Sequence, residues 1–182
     1  MEMNEVRLET ERLILRWFRE TDLADLYKMT SDPEVMRFLG DGKPCDEMFT
    51  WRQMATYMGH WYYRGFGVWA VEDKSSGRVV GRIGFMDPFG WPGFELGWTL
   101  ARDCWGQGYA TEGARRALEY AFTEMDRDHV ISLIAPDNVA SIKVAERLGE
   151  KVEGNTNIMD RDVFIYGIDR KDWLKAREAS PR

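Results

Sequence analysis

Three glycines fall within ten residues at Cys104–Gly113, "CWGQGYATEG", and the chain runs from them straight into an amphipathic helix. Ala110, Ala114, Ala117, Leu118, Ala121, Phe122 and Met125 recur at steps of three and four, the apolar face of a 3.6-residue period. Ahead of the glycines, "FELGWTL" (94–100) is β-prone. A strand, a bare loop and a helix start leave several backbone N–H groups at the positive end of a helix dipole, where a phosphate or pyrophosphate belongs. The same G-x-G spacing also occurs where glycine merely permits a tight turn. Two nucleotide signatures fail at this loop. A Walker loop needs Lys and then Ser or Thr after its last glycine, whereas Tyr109 and Ala110 follow Gly108. A dinucleotide fingerprint finds Gly106 and Gly108 but Thr111 in the third place. Its acid would be Asp137, roughly 30 residues on where about 20 is expected.

With 182 residues, 44% of them hydrophobic, the chain is long enough for one core and short for two. A single domain over 1–182 is expected, structured over about 8–175, with the polar tail "KAREASPR" frayed. No apolar run approaches the roughly 20 residues that cross a bilayer. The start "MEMNEVRLETERL" is acidic, unlike a signal peptide. A cytoplasmic protein without a membrane partner is expected. The net charge of −6 argues against a nucleic-acid partner and is compatible with a cationic substrate. Cys45 and Cys104, like His60 and His129, lack metal-site spacing, so neither a metal nor a disulfide is expected.

Along the chain, "RLILRWF" reads as a strand, and Thr21 can cap a following helix that carries Leu23, Leu26 and Tyr27. "DEMFTWRQMATYMGHWYYRG" reads as a second helix ending at Gly65. "GVWAVED" and "RVVGRIGFMD" flank "KSSG" as a hairpin. After the glycine loop and its helix comes the apolar strand "HVISLIAP", then Asn138 opening "NVASIKVAERLG", then two strands and a turn of helix. The order β-α-α-β-β-β-α-β-α-β-β predicts an α/β (α+β) domain, about seven strands flanked by about four helices.

The segment "FELGWTLARDCWGQGYATEGARRALEYAF", followed by "NVAS" and preceded by "TERLILR", resembles the GCN5-related N-acetyltransferases (GNAT). The nearest branch is that of the ribosomal-protein N-terminal acetyltransferases, the RimJ/RimL-like proteins. The resemblance runs from "ETERLILRWF" to "DVFIYGI" and implies a central mixed, mostly antiparallel sheet whose fourth and fifth strands splay apart. It implies acetyl-CoA as cosubstrate, its pyrophosphate held by Gly106, Gln107, Gly108, Tyr109, Ala110 and Thr111, and its pantetheine arm lying in the splay against Trp98, Thr99, Leu100 and Asn138. The wider pattern has Gln or Arg where Trp105 stands, so Trp105 is expected to pack against the helix instead. Arg102, Arg115 or Arg116 could reach the coenzyme's 3′-phosphate.

Acetyl transfer to a primary amine needs a base, because an alkylammonium with a pKa of about 10 is mostly charged at neutral pH. It needs an oxyanion donor, which the resemblance assigns to a backbone N–H in the region of Trp98–Leu100. It also gains from an acid for the leaving thiolate. The resemblance puts the base on Glu95, which alternation groups with Gly97 and Thr99 on one face whose direction the sequence leaves open. The usual acid, a Tyr seven residues past the Asn, is replaced by Ala145. Ser141, by resemblance to the ribosomal-protein branch, could hydrogen-bond the thiolate and the cofactor; a first-turn Ser satisfying local backbone is the other reading. Cys104 is required by neither role. "WYYRGFGVW" with Phe49, Trp51 and Tyr57 could wall the acceptor pocket or form core, and Asp162 could orient an ammonium. The expected partner is a protein N-terminal amine or a small cationic amine, and the expected state a monomer or homodimer. A catalytically impaired CoA-binding module and, more distantly, a nicotinamide-dependent reductase are the alternatives.

Overall fold

A computed structural model describes residues 5–179. Eight strands form one sheet: β1 (Leu8–Glu9), β2 (Leu13–Arg16), β3 (Val68–Asp73), β4 (Val79–Met86), β5 (Glu95–Leu100), β6 (His129–Ile134), β7 (Lys151–Ile158) and β8 (Arg161–Asp169). Their order is β1-β2-β3-β4-β5-β6-β8-β7, and every neighbouring pair is antiparallel except β5–β6. A sheet with one parallel pair is not the doubly wound parallel sheet that a dinucleotide fold requires. Six α-helices accompany it: α1 (Leu23–Thr30), α2 (Pro33–Met36), α3 (Glu47–Arg64), α4 (Tyr109–Thr123), α5 (Val139–Leu148) and α6 (Arg170–Ala179).

The apolar stripe of α4 is the centre of the larger core. Ala114, Ala117, Leu118, Ala121 and Phe122 are all buried against Trp69, Ile83, Phe85 and Leu96 of the sheet. Each large side chain buried there contributes about 1.5–3 kcal/mol. The helix lies close: a Cβ at Gly113 would meet Ile83 Cδ1 at 2.5 Å. On the opposite face Val68 and Ala70 pack under Leu26 and Met29 of α1 and Met54 and Tyr57 of α3.

Two counts exceed the sequence expectation. Leu8–Glu9 adds an eighth strand, a two-residue pairing with Leu15 and Ile14 that is too short to show a period. Two further helices appear. One is α2, started by Pro33 behind an Asp32 cap whose side chain accepts from Glu34 N at 2.9 Å. The other is α6, which carries most of the expected frayed tail as helix to Ala179 because Trp173 is buried against Phe122. Residues 180–182 lie outside the described residues. Thr21 does not cap α1. It sits in a 3₁₀ turn (Glu20–Asp22), and Asp22 precedes the helix instead. The Asp22 carboxylate is buried, pairing with both terminal nitrogens of Arg16 at 2.7 and 2.9 Å while Arg16 Nε donates to Glu72 at 2.7 Å. A buried arginine needs these counter-charges, and that requirement sets the turn.

Candidate active site

Helices α3 and α5 each begin with a side-chain cap: Asp46 accepts from Phe49 N at 2.6 Å and Asn138 from Ser141 N at 3.2 Å. Helix α4 has none. Its N-cap is Gly108 in the left-handed region (φ +82°), preceded by Gly106 at φ +75°, and the first helical bond runs from Glu112 N to Gly108 O. The first-turn N–H groups are thus left without a side-chain acceptor, the arrangement that suits an anionic oxygen. What holds this loop is the front of the chain. Glu112 accepts from Thr10 Oγ1 (2.6 Å), Arg12 N (3.0 Å) and Arg12 Nε (2.7 Å), and Arg12 Nη1 donates to Gln107 O at 2.9 Å. The coupled occurrence of "TER" and "YATE" in the sequence therefore has one cause: Glu112 and Arg12 clamp the loop to β2.

Between β5 and β6 the ladder is a single pairing, Glu95 with Ile131, plus Ile131 N donating to Phe94 O at 3.0 Å. Beyond it the strands diverge. On the β6 side, the backbone of β5 past Leu96 has no strand partner. The opening is braced by Ser132, whose Oγ lies 2.8 Å from Leu96 O and 3.1 Å from Glu150 Oε1. A hydroxyl has one proton to give. Donated to the Leu96 carbonyl, which only accepts, it leaves the second contact to be made by a proton on Glu150. Glu150 is 3% exposed, and burial pushes its carboxyl up to about 8, with the charges of Glu153 and Glu95 acting in the same direction.

Register settles the direction the sequence leaves open. Glu95, Gly97 and Thr99 share a face with their β4 partners Met86, Gly84 and Arg82, the face covered by α1 and α3, while Leu96 and Leu100 lie in the core under α4. The Glu95 carboxyl is pushed up to about 7 by burial. Trp91 Nε1–H donating at 2.6 Å, the Arg82 charge and the Leu133 backbone N–H act the other way. Such a group is half ionised near neutral pH, as a general base should be.

A cavity of about 1440 Å³ joins these parts. It is lined by Glu95, Trp98, Thr99, Leu100, Gly106, Gly108, Tyr109, Ala110, Thr111, Asn138 and Ser141. Of the residues expected at the site, Gln107 stands outside it, its side chain donating to Asp103 O at 3.1 Å. Tyr109 lines it, with its hydroxyl donating to Asp73 at 3.4 Å. The buried Thr99 Oγ1 has no protein partner among the described residues, a polar atom that a ligand would satisfy.

Several expectations are corrected. Trp105 does not pack on α4; it is half-exposed and donates from Nε1 to Leu100 O at 2.9 Å. Arg102 does not line the cavity, whereas Arg116 does, paired with Glu119 and Glu124. Arg115 does line it, together with Lys143 and Arg147 of α5, which the sequence reading missed although they stand four apart on one helix face. Tyr57, Trp61, Phe66 and Trp69 are core. The far end of the cavity is walled instead by Val35, Phe38 and Leu39, which α2 and the turn after it place there. Asp162 accepts from Asn157 at the β7–β8 hairpin, away from the cavity. Ala145 is fully buried against Ile134 and Tyr166. The Cys104 thiol is pushed up to about 11 by burial and by Asp103, so it is no nucleophile at neutral pH. His60 bridges Phe66 O and Asp87 N, and His129 bridges Asp169 and Glu153. Among the described residues no group of three His, Cys, Asp or Glu is placed to hold a metal.

The sequence and the fold as a whole match known proteins. The family model described as an acetyltransferase (GNAT) domain matches residues 12–151. The Bacillus subtilis protein YkkB is 33% identical over 175 residues, covering 92% of this chain and 96% of that one. A GNAT-family acetyltransferase crystal structure from Bacillus anthracis superposes with TM-score 0.79 at 28% identity, over 91% of this chain and 99% of the other. A RimL ribosomal L7/L12 α-N-protein acetyltransferase in complex with coenzyme A shares the fold, with TM-score 0.76 at 18% identity, over 90% and 98%. The chain belongs to the GNAT acetyltransferase family.

Proposed function

We propose that the protein transfers the acetyl group of acetyl-CoA to a primary amine by direct attack in a ternary complex. The acceptor classes are a protein N-terminal amine, as in the RimJ/RimL-like branch, or a small cationic amine. One observation carries this reading: a glutamate with its carboxyl near pH 7 stands at the root of a splay that is continuous, through one cavity, with an uncapped helix N-terminus. Acetyl-CoA supplies the activated acetyl thioester. The first turn of α4 holds its pyrophosphate, with Arg115, Lys143 and Arg147 as cations along the same wall. The unpaired β5 backbone beyond Leu96 offers N–H groups to the pantetheine arm and to the carbonyl oxygen as charge develops there. Glu95 takes the ammonium proton, so that the amine attacks as the neutral species. Ser141, on the first turn of α5 beside the cap Asn138, is the hydroxyl placed for the leaving sulfur, since Ala145 carries no polar group and is buried.

Thiol release from acetyl-CoA, followed over an amine and peptide panel, tests the proposal. Turnover with at least one amine, lost in Glu95→Gln and reduced in Ser141→Ala, is the expected result. Tight acetyl-CoA binding without turnover on any amine would make the protein a CoA-binding module instead. Heat stabilisation by NAD and none by CoA would remove both readings.

A further inference from the structure

The acceptor end of the cavity holds a cation, Arg82, that has no ion-pair partner within 4.0 Å among the described residues. Arg82 on β4 is partly buried, lines the cavity, and acts electrostatically on Glu95. Among the described residues its side chain forms no ion pair and donates no hydrogen bond; its guanidinium lies over the Tyr57 ring, 5.5 Å from the centroid. Some arginines are matched, Arg12 with Glu112, Arg16 with Asp22 and Glu72, Arg78 with Asp103, whereas Arg102, Arg115, Arg127 and Arg147, like Arg82, have no ion-pair partner among the described residues. A partly buried guanidinium without an anion is costly, and its planar fork fits a carboxylate in bidentate fashion. The surface between Arg82 and Glu95 is bare. On this face the row Arg82–Thr99 is followed by Gly84–Gly97 and then Met86–Glu95, and a Cβ at Gly97 would meet only Glu95 Oε1, at 3.9 Å. A ligand can therefore lie directly on the strand backbone, a carboxylate of the protein at one end and a guanidinium at the other. Arg37, also without an ion-pair partner among the described residues, lines the same end, as does the exposed Glu34.

We propose that the acceptor is an amine that also carries a carboxylate, the amine lying at Glu95 and the carboxylate on the fork of Arg82 across the Gly97 floor. The inference rests on the acetyltransferase reading of the same site and adds the acceptor's second charge. It is tested with a series of ω-amino acids of increasing chain length, each against its own carboxamide. Dissociation constants on the CoA-loaded enzyme are measured by calorimetry, and kcat/KM by thiol release with acetyl-CoA. For the best-fitting length the acid is expected to bind, and to react, at least tenfold better than the amide. That ratio should fall to near one in Arg82→Gln and lie between in Arg82→Lys, which keeps the charge and loses the fork. Equal use of acid and amide at every length, or an unchanged ratio in Arg82→Gln, overturns the inference. If no amine is acetylated but the binding ratio persists, the carboxylate site stands and the transferase reading falls; if turnover occurs without the ratio, the reverse holds.

Discussion

The two ends of the cavity are built from different materials. At the end proposed for the cofactor the materials are backbone: Gly106 and Gly108 hold left-handed conformations, α4 opens uncapped, and Arg12 and Glu112 clamp the loop from outside. At the end proposed for the acceptor they are side chain: Glu95 is a carboxyl raised by burial, Glu150 is a second one behind the cavity-lining Ser132, and Arg82 is a guanidinium without an ion pair among the described residues. The difference teaches how one fold keeps a fixed cosubstrate while its acceptors vary. Backbone N–H groups at a helix start bind the same anion whatever side chains surround them, whereas a site made of titratable side chains changes with each substitution.

Breaking the acceptor end should have the largest effect. Glu95→Gln is expected to lower kcat by 10²–10⁴-fold, about 3–5 kcal/mol of barrier. The acetyl-CoA KM should stay near the wild-type value. The carboxylate is the active form, so wild-type activity should be lost as pH falls through about 7, and the variant should lack that limb in a pH–rate profile.

Glu150→Gln separates stability from chemistry at the same end. With the folded carboxyl at about 8 and the unfolded one near 4.5, the folded protein keeps a proton that the unfolded chain releases between those values. Stability should therefore fall as pH rises from 4.5 to 8, by on the order of 4 kcal/mol in all. Urea denaturation should find the variant similar to wild type at pH 5 and more stable at pH 8. Parallel curves would mean that Glu150 is not the buried neutral acid its contacts describe.

At the cofactor end, Gly108→Asp puts a negative charge where the pyrophosphate is expected, on a residue at φ +82°. The acetyl-CoA KM should rise tenfold or more, about 1.4 kcal/mol. A smaller change in kcat would keep the two ends distinct. Smallest is Asn138→Ala on α5, whose cap serves the protein itself: a loss of about 1 kcal/mol in unfolding free energy is expected. If Gly108→Asp left the acetyl-CoA KM unchanged, the contrast between the capped and uncapped helices would carry no functional meaning.

Local chemistry made much of this legible. Gly65 and Gly149 end α3 and α5 in the left-handed region, Asn138 caps α5, and the three-and-four spacing of alanines in α4 faces the core. The glycine loop suggested an anion site because the left-handed conformations of Gly106 and Gly108 follow from glycine itself, although the clamp from Thr10 and Arg12 that holds the loop is distant in sequence. What stayed hidden was what depends on neighbours distant in sequence. Thr21 looked like a cap, but a buried Arg16 drew Asp22 into that place. The sequence left the aromatics of α3 open between pocket wall and core; Tyr57 and Trp61 are core, and the wall is left to α2 and the turn after it.

The sequence by itself determined the order of the main elements, the glycine loop proposed to receive the cosubstrate and, through its motifs, the family. Tertiary structure alone decided which way Glu95 points, that Glu150 stands buried against Ser132, that Arg82 shares the face of Glu95, and where β5 parts from β6. The physical reason is range: turn, cap and helix preferences act within a few residues, whereas desolvation and strand register are set by whatever the folded chain brings alongside.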